Sequence, residues 1–133
     1  MKTLYEAEKI YNKPLVALCS ESEQVQKKFF PDKAIQICSL LSIKTGLCHE
    51  DCAYCSQSSS HATEVIPESI MSLQEVEKAA KSAKEKGADC FCISAAWRYI
   101  KKNDMEMVLK MLRIIKNQGL KACATLGMLR RDQ

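Results

Sequence analysis

Three cysteines lie close together in the middle of the sequence, at Cys48, Cys52 and Cys55. Their C-x3-C-x2-C spacing differs from the bacterial ferredoxin run and from the paired C-x2-C of zinc ribbons. Thiolates are natural ligands of iron-sulfur clusters, and three of them can hold three irons of a cubane cluster. The fourth iron is then free to bind and activate a small molecule. The spacing therefore predicts a 4Fe-4S cluster with one open iron.

Two other interpretations of these cysteines stay open. With His49 or His61 they would form a structural Cys3His zinc site, which makes the chain a non-enzymatic, cysteine-rich metal or redox module. A disulfide is disfavoured, because the charged N-terminus has no secretory signal and the expected compartment is the reducing cytoplasm. No charge-free stretch approaches the roughly 20 residues needed to span a bilayer, so no membrane contact is expected.

Composition and charge exclude several classes of protein. The chain has 133 residues, 8 Cys and a net charge of +4, with 47% hydrophobic and 27% charged residues. These proportions exclude collagen-like, low-complexity and wholly disordered chains. Basic residues are concentrated after Trp97 but lack interleaved aromatic side chains. We therefore expect a solvated surface there and no nucleic-acid binding.

The hydrophobic pattern predicts helices at the N-terminus and then strands that alternate with helices. Residues 1–33 are expected to form a helical segment interrupted at 12–14. In residues 34–133, buried strands are expected at 35–42, 89–94 and 120–125, the first covered on both faces. Helices between them should begin at a capping box of Ser72 and Glu75 and at about Asp104, and should end at Gly87 and Gly119.

This order of elements predicts an α/β fold with parallel strands. Sites in such folds lie at the carboxyl ends of the strands, where the cysteine-rich segment begins. We interpret residues 34–133 as the first β/α units of a (β/α)8 TIM-type barrel. A closed barrel needs about 250 residues. The chain is therefore expected to be the first, incomplete part of a longer or a truncated protein.

Several blocks of the sequence resemble the radical S-adenosylmethionine superfamily and, within it, the biotin synthases. The aromatic Tyr54 before the last cysteine is typical of the superfamily's cluster loop. The blocks that resemble biotin synthases follow in the same order: Leu40–Gly46, Glu50-Asp51, Tyr54–Gln57, Phe91-Cys92 with Ala95–Trp97, and Ala122-Cys123 with Thr125–Gly127. In the superfamily, S-adenosylmethionine chelates the open iron and is cleaved by one electron to methionine and a 5′-deoxyadenosyl radical.

The resemblance implies two clusters. Cys48, Cys52 and Cys55 would ligate the 4Fe-4S cluster. Cys92 and Cys123 match two ligands of a 2Fe-2S cluster whose sulfide is inserted into the substrate. The family completes this second site with a further Cys and an Arg on later strands, which residues 1–133 do not supply.

The resemblance also implies a binding site for S-adenosylmethionine. Tyr54 would lie against its adenine side, and Ala95, Ala96 and Trp97 would line the pocket near its methionine part. No residue of the chain is assigned a catalytic role of its own. Ser94 stands where the family usually has Gly, so the sequence departs from the family pattern at this position.

The implied activity is sulfur insertion into dethiobiotin to form biotin, the last step of biotin biosynthesis. The implied partners are a flavodoxin- or ferredoxin-like electron donor and, in the full-length protein, a second copy of the chain. The isolated 133 residues are expected to be inactive. The alternative within enzymes is a sibling radical S-adenosylmethionine protein with another substrate, which would not need Cys92 and Cys123.

The remaining cysteines have no role in the resemblance. Cys19 and Cys38 are expected to be buried free thiols, because Cys is among the most buried residue types. Cys90 shares strand parity with Cys92 and so could face the same side of the sheet. His61 is expected to be a solvated loop residue.

Overall fold

The computed structural model describes residues 3–31 and 35–131. The chain divides into two compact units, Met1–Ile35 and Gln36–Gln133. The domain boundary predicted between residues 33 and 34 lies outside the described residues. Among the helices that the structure describes, none is long and apolar enough to cross a membrane.

The first unit contains two helices, α1 (Leu4–Tyr11) and α2 (Leu15–Phe29). Helix α1 begins at a capping box, in which Thr3 accepts a hydrogen bond from the Glu6 amide and the Glu6 carboxylate accepts one from the Thr3 amide. Helix α2 begins directly after Pro14, whose fixed φ suits the entry to a helix. Within residues 3–31, the predicted helical character and its interruption at 12–14 agree with the structure.

The second unit is a parallel sheet with two crossover helices. Its elements are β1 (Cys38–Lys44), α3 (Leu73–Glu85), β2 (Cys90–Ala95), α4 (Lys102–Asn117) and β3 (Lys121–Thr125). The three strands pair in the order β1-β2-β3, and both pairs are parallel. The α/β prediction is confirmed, and so is the capping box at the start of α3.

One face of the sheet carries the core of this unit. Phe91 and Ile93 of β2 are buried with apolar side chains of α3 and α4, among them Val76, Val108 and Ile115. Burying a side chain of this size stabilises a fold by about 1.5–3 kcal/mol. The core therefore fixes the position of the strands from one side.

The prediction that the first strand is buried on both faces is wrong. Leu40 of β1 is 69% exposed and Cys38 is also exposed. The helices α3 and α4 pack on the side of the sheet that carries Phe91, so alternate residues of β1 face away from the core. The absence of charged residues in a strand therefore does not show whether one face of that strand is buried or both faces are.

Candidate metal centre

The segment of residues 46–63, here called the cysteine loop, leaves the carboxyl end of β1 through a tight turn. Gly46 and Leu47 both have positive φ, 71° and 51°. A Cβ on Gly46 would lie 3.1 Å from the Cα of Pro67. Glycine suits this position because it adopts positive φ without steric cost. The turn brings Cys48 directly after the end of the sheet.

Backbone hydrogen bonds hold the cysteine loop in a folded shape. The Cys48 amide donates to the Gln57 carbonyl at 2.9 Å, and the Ser59 amide donates to the Cys48 carbonyl at 2.8 Å. The Cys55 amide donates to the Cys52 carbonyl, also at 2.9 Å. All three cysteines thus sit on a backbone that is ordered by its own bonds.

A buried serine inside the loop was missed by the sequence interpretation. Ser58 is only 5% exposed, and its hydroxyl donates to the Glu50 carbonyl at 2.6 Å while accepting from the Ser60 amide at 3.1 Å. Ser58 therefore joins the two halves of the loop. The three successive serines at 58–60 give no sequence pattern that distinguishes this one.

The side chain of His61, which was expected to be a solvated loop residue, is 35% exposed and also contacts other residues of the loop. Its Nε2 lies 3.3 Å from the Cys52 carbonyl oxygen and 3.3 Å from Oδ1 of Asp51. These contacts attach the end of the loop to the backbone of the middle cysteine. Nine residues separate His61 from Cys52, and no helical or strand periodicity relates the two.

The three predicted cluster ligands are free thiols with access to solvent: Cys52 is exposed, and Cys48 and Cys55 are half-buried. Among residues 3–31 and 35–131, no three Cys, His, Asp or Glu side chains converge as ligands of a single metal ion. A cubane cluster does not require such convergence, because each iron takes one thiolate and the sulfur ligands stay separated by the cluster. The donor set of the loop fits that group.

Lys44, the last residue of β1, connects the cysteine loop to the end of β2. Its Nζ donates to the carbonyls of Gly46 and Ala96, the latter at 2.7 Å. The Ala96 amide in turn donates to the Lys44 carbonyl at 2.9 Å. The loops after β1 and β2 are therefore held side by side.

A similar connection joins the loops after β2 and β3. The indole Nε1 of Trp97 donates to the Leu126 carbonyl at 2.8 Å. A Cβ on Gly127, whose φ is 73°, would lie 2.4 Å from the Trp97 carbonyl oxygen and 2.6 Å from that of Arg98. Only glycine fits there without movement of the backbone. Trp97 thus has a positioning contact in addition to the predicted contact with a ligand.

A cavity of about 370 Å³ lies beside these connected loops. Leu47 and His49 of the cysteine loop contribute to its wall, and so do Ala96 and Trp97 from the end of β2. Two of the four residues predicted to bind S-adenosylmethionine are therefore together in one cavity wall. Ala95 is not among the lining residues that the structure describes. Tyr54 is not among them either and is 94% exposed.

An ion pair crosses from the cysteine loop to the same cavity. Glu50 Oε1 lies 3.0 Å from Nε of Arg98, which is a lining residue. The N–H is not directed at that oxygen, so Oε1 is buried without a hydrogen bond. The pKa of Arg98 is raised by its hydrogen bond with Tyr99 and, second, by the charge of Glu50.

The remaining chemistry-bearing residues of this unit lie on the side of the sheet opposite to the core. Cys90 and Cys92 alternate with the buried Phe91 and Ile93, so both face away from α3 and α4. Cys38 is the register partner of Cys90, and Cys123 is the register partner of Cys92. We call these four residues, Cys38, Cys90, Cys92 and Cys123, the thiol face.

The thiols of this face interact in two pairs. Burial raises the pKa of Cys92 to about 11, and a hydrogen bond with Cys123 acts in the same direction. Burial also raises the pKa of Cys90, helped by a hydrogen bond with Cys38 and opposed by the charge of Lys121. Cys19 and Cys38 are free thiols, as expected, but the expectation that they are buried is wrong, because both are exposed.

No model of a protein family matches the chain. Curated proteins named biotin synthase do match it over most of its length. The chain is 48% identical to one from Aromatoleum aromaticum and 46% identical to one from Dechloromonas aromatica, over 98% of the chain in both cases. It is 43% identical, over 93% of its length, to one from a Nostoc species. The chain spans about two fifths of the length of these relatives, 37–40%.

Proposed function

We propose that this chain, which belongs to the biotin synthase family, forms the part of a biotin synthase that binds its iron-sulfur clusters and S-adenosylmethionine. The reaction we assign to the whole protein is insertion of sulfur into dethiobiotin to form biotin. One observation carries the proposal: three free thiols lie on an ordered loop that contributes to the wall of a 370 Å³ cavity.

We assign the 4Fe-4S cluster to the cysteine loop. Cys48, Cys52 and Cys55 provide three thiolates, one for each of three irons. The backbone bonds of the loop do not use the sulfur atoms, which remain available as ligands. The backbone of the loop is thus folded without a cluster, and cluster binding would need to order only the cysteine side chains.

We assign S-adenosylmethionine to the cavity beside the loop. Leu47, Ala96 and Trp97 give this cavity apolar surface, and the charged groups of Lys44 and Asp104 are also in its wall. A ligand that is both amino acid and nucleoside needs polar and apolar contacts of this kind. When bound, the open iron and S-adenosylmethionine supply the electron transfer and the radical that removes hydrogen from an unactivated carbon.

The chain's own residues position and shield this chemistry. Lys44 and Trp97 hold the ends of the three strands together through their carbonyl contacts. Gly127 lets the third loop approach the second closely. Connected loops keep a cofactor and a cluster at a fixed separation and reduce the entry of water.

We assign the 2Fe-2S cluster, the sulfur donor, to the thiol face through Cys92 and Cys123. Their register pairing and their hydrogen bond support a shared metal. Each must lose a proton to bind iron, so the raised pKa of Cys92 makes loading of this site dependent on pH.

The remaining assignments follow the family. We propose that residues 34–133 are the first β/α units of a TIM-type barrel and that residues 1–33 form a separate helical segment. We further propose a cytoplasmic location, an electron donor such as flavodoxin or ferredoxin, and a homodimer for the full-length protein. The free state of all eight cysteines supports a reducing compartment.

The test of the first cluster is anaerobic reconstitution with iron and sulfide. We expect about four irons and four sulfides per chain at the cysteine loop, with a brown colour. Cys52→Ala should abolish this cluster. Cys19→Ala, which changes an exposed thiol of the first unit, is the matched control and should leave the iron content unchanged.

A different metal would contradict the proposal. If the chain takes up one zinc per molecule and no iron cluster, and Cys52→Ala removes that zinc, the chain is a structural metal module. If Cys52→Ala retains the full cluster, the cysteine loop is not its ligand.

A further inference from the structure

Two cysteines of the thiol face, Cys38 and Cys90, have no part in either proposed cluster. They are register partners on neighbouring parallel strands, and their thiols share a hydrogen bond. Neighbouring strands lie about 4.8 Å apart, which sets the separation of partnered Cα atoms. A disulfide joins residues whose Cα atoms are roughly 4.4–6.8 Å apart. The two thiols are therefore close enough to be joined without a large movement of the strands.

Backbone contacts hold the two strands together directly beside these cysteines. The Asp89 amide donates to the Ile37 carbonyl at 2.8 Å, and the Cys90 amide donates to the same oxygen at 3.1 Å. The Ile37 amide in turn donates to Oδ2 of Asp89 at 3.0 Å. Because these contacts fix the residues next to both cysteines, the two thiols meet at a high effective concentration.

The two thiols differ in access to solvent and in the charges around them. Cys38 is exposed, whereas Cys90 is buried. Burial raises the pKa of Cys90, and the charge of its register partner Lys121 opposes that effect. A thiol attacks a disulfide as its thiolate, and only where the reagent can reach it. Cys38 is therefore the thiol that reacts first with a molecule from solvent.

We propose that Cys38 and Cys90 form a site of reversible thiol oxidation, whose oxidant is a low-molecular-weight disulfide of the glutathione class. The Cys38 thiolate attacks the reagent, forms a mixed disulfide and releases one small thiol. The Cys90 thiolate then attacks the Cys38 sulfur, closes the Cys38–Cys90 disulfide and releases the second small thiol. The protein loses two electrons and two protons, which the two released thiols carry away.

The site would respond to the redox state of its compartment. Cytosolic disulfides are usually transient, and they form when the ratio of disulfide to thiol rises. Cys38 and Cys90 are the first residues of β1 and β2, so the bond would join the amino ends of these strands. The cysteine loop leaves the opposite, carboxyl end of β1. The bond also leaves Cys92 and Cys123 free for the second cluster.

The experiment equilibrates the whole chain, without added metal, in buffers of reduced and oxidised glutathione. After acid quenching and alkylation, trypsin releases Cys38 in residues 34–44 and Cys90, together with Cys92, in residues 87–98. We expect these two peptides to be joined in most chains once oxidised glutathione is in excess. Fragmentation should place the bond at Cys90 and not at Cys92. Dithiothreitol should restore the two separate peptides.

The variant Cys90→Ser removes the thiol that closes the bond. Oxidation should then stop at the mixed disulfide, so that Cys38 carries one glutathione and the joined peptide falls at least tenfold. Cys19→Ser changes an exposed thiol of the first unit and is the matched control. It should leave the amount of joined peptide unchanged.

Urea unfolding of the unmutated chain gives a second measurement that does not depend on folding of a variant. A bond between residues 52 positions apart closes a long loop and restricts the unfolded chain. We expect the urea midpoint of the oxidised chain to lie roughly 1 M or more above that of the reduced chain. Dithiothreitol should remove this difference. Equal midpoints would contradict a bond between the two strands.

Three results of the peptide analysis would overturn the inference. The first is the absence of a joined peptide in excess oxidised glutathione. The second is a bond that fragmentation places between Cys38 and Cys92. The third is a joined peptide that persists in Cys90→Ser at its original amount. None of these results affects the proposed function, whose cluster is tested separately by Cys52→Ala.

Discussion

The two cysteine-rich regions of the second unit differ in what holds their thiols in place. In the cysteine loop, the three ligands follow one another within eight residues of chain, from Cys48 to Cys55, and local hydrogen bonds between loop residues order the backbone. On the thiol face, the cysteines come from three strands and are aligned by the register of the sheet. The loop is thus a local structure, whereas the face depends on the packing of the whole sheet.

This difference explains why the cysteine loop can be predicted from the sequence and the thiol face cannot. C-x3-C-x2-C is a continuous pattern, so its chemistry can be inferred before any fold is known. Cys38 and Cys90 are separated by 52 positions, and only the pairing of β1 with β2 makes them neighbours. A register shift of one residue would move a strand's side chains to the opposite face.

The largest expected effect on stability comes from the core, on the side of the sheet opposite to the thiol face. Phe91→Ala removes a side chain that is 2% exposed, and we expect it to lower the free energy of unfolding by about 3–5 kcal/mol. Leu40→Ala is the control on the opposite side of the sheet, where the side chain is 69% exposed, and should change it by less than about 0.5 kcal/mol. Urea unfolding of both variants measures the difference. Similar losses would mean that both faces of the sheet are covered.

The next effect concerns the contact between the strand-end loops. Gly87→Ala and Gly127→Ala both place a side chain at positive φ, which costs about 1–2 kcal/mol. At Gly87 nothing lies within 4 Å of the added Cβ, whereas at Gly127 two carbonyl oxygens lie within 2.6 Å. We expect Gly127→Ala to cost a further 1–3 kcal/mol or so. Equal melting temperatures for the two variants would show that the loops are not in close contact.

The pH dependence of Cys92 separates the thiol face from an ordinary surface. Burial, with the Cys123 hydrogen bond, raises the pKa of Cys92 from 9.0 to about 11. The alkylation rate of Cys92 should therefore rise about tenfold per pH unit past pH 9, because only the thiolate reacts. A plateau at pH 9 would contradict the burial of this thiol.

The same pKa shift affects stability in a definite direction. The folded chain keeps the Cys92 proton more firmly than the unfolded chain, so this stabilisation is complete below about pH 9. It is lost as the pH rises through about 11. Cys123→Ala removes one cause of the raised pKa of Cys92, so the pH range from about 9 to about 11 over which stability is lost should become narrower. Urea unfolding at several pH values will measure this range.

The smallest expected effect on stability comes from breaking the ion pair between Glu50 and Arg98. Both side chains are partly exposed, at 32% and 48%, so Arg98→Ala should cost no more than about 1 kcal/mol. It should nevertheless speed amide hydrogen exchange in the cysteine loop, where the Cys48 and Ser59 amides are now protected by backbone bonds. Adding Glu50→Gln should restore slow exchange, because the buried oxygen would no longer carry a charge. Unchanged exchange in Arg98→Ala would show that the loop is ordered without this contact.

Much of the second unit was predictable because its rules are local. The capping box of Ser72 and Glu75 and the glycine at Gly87 identified α3, and the alternation of elements identified a parallel sheet. In α4, local spacing decides less: Leu109 is 46% exposed, whereas Met111, two residues further along the helix, is fully buried.

The parts that the sequence did not predict depend on contacts between distant residues. Ser58 is buried because of its bond to the Glu50 carbonyl, and His61 is held by Cys52 and Asp51. Gly127 is needed because of a carbonyl from another loop. None of these partners can be identified from spacing, since each arises only when the chain has folded.

The measurement closest to the central claim is electron paramagnetic resonance of the reduced, reconstituted Cys92→Ala/Cys123→Ala variant. This variant keeps the cysteine loop intact and removes two of the ligands assigned to the second cluster. We expect the signal of a reduced 4Fe-4S cluster, with a spectrum that changes when S-adenosylmethionine is added, because the added molecule binds the open iron. A reduced cluster whose spectrum is the same with and without saturating S-adenosylmethionine would contradict the account.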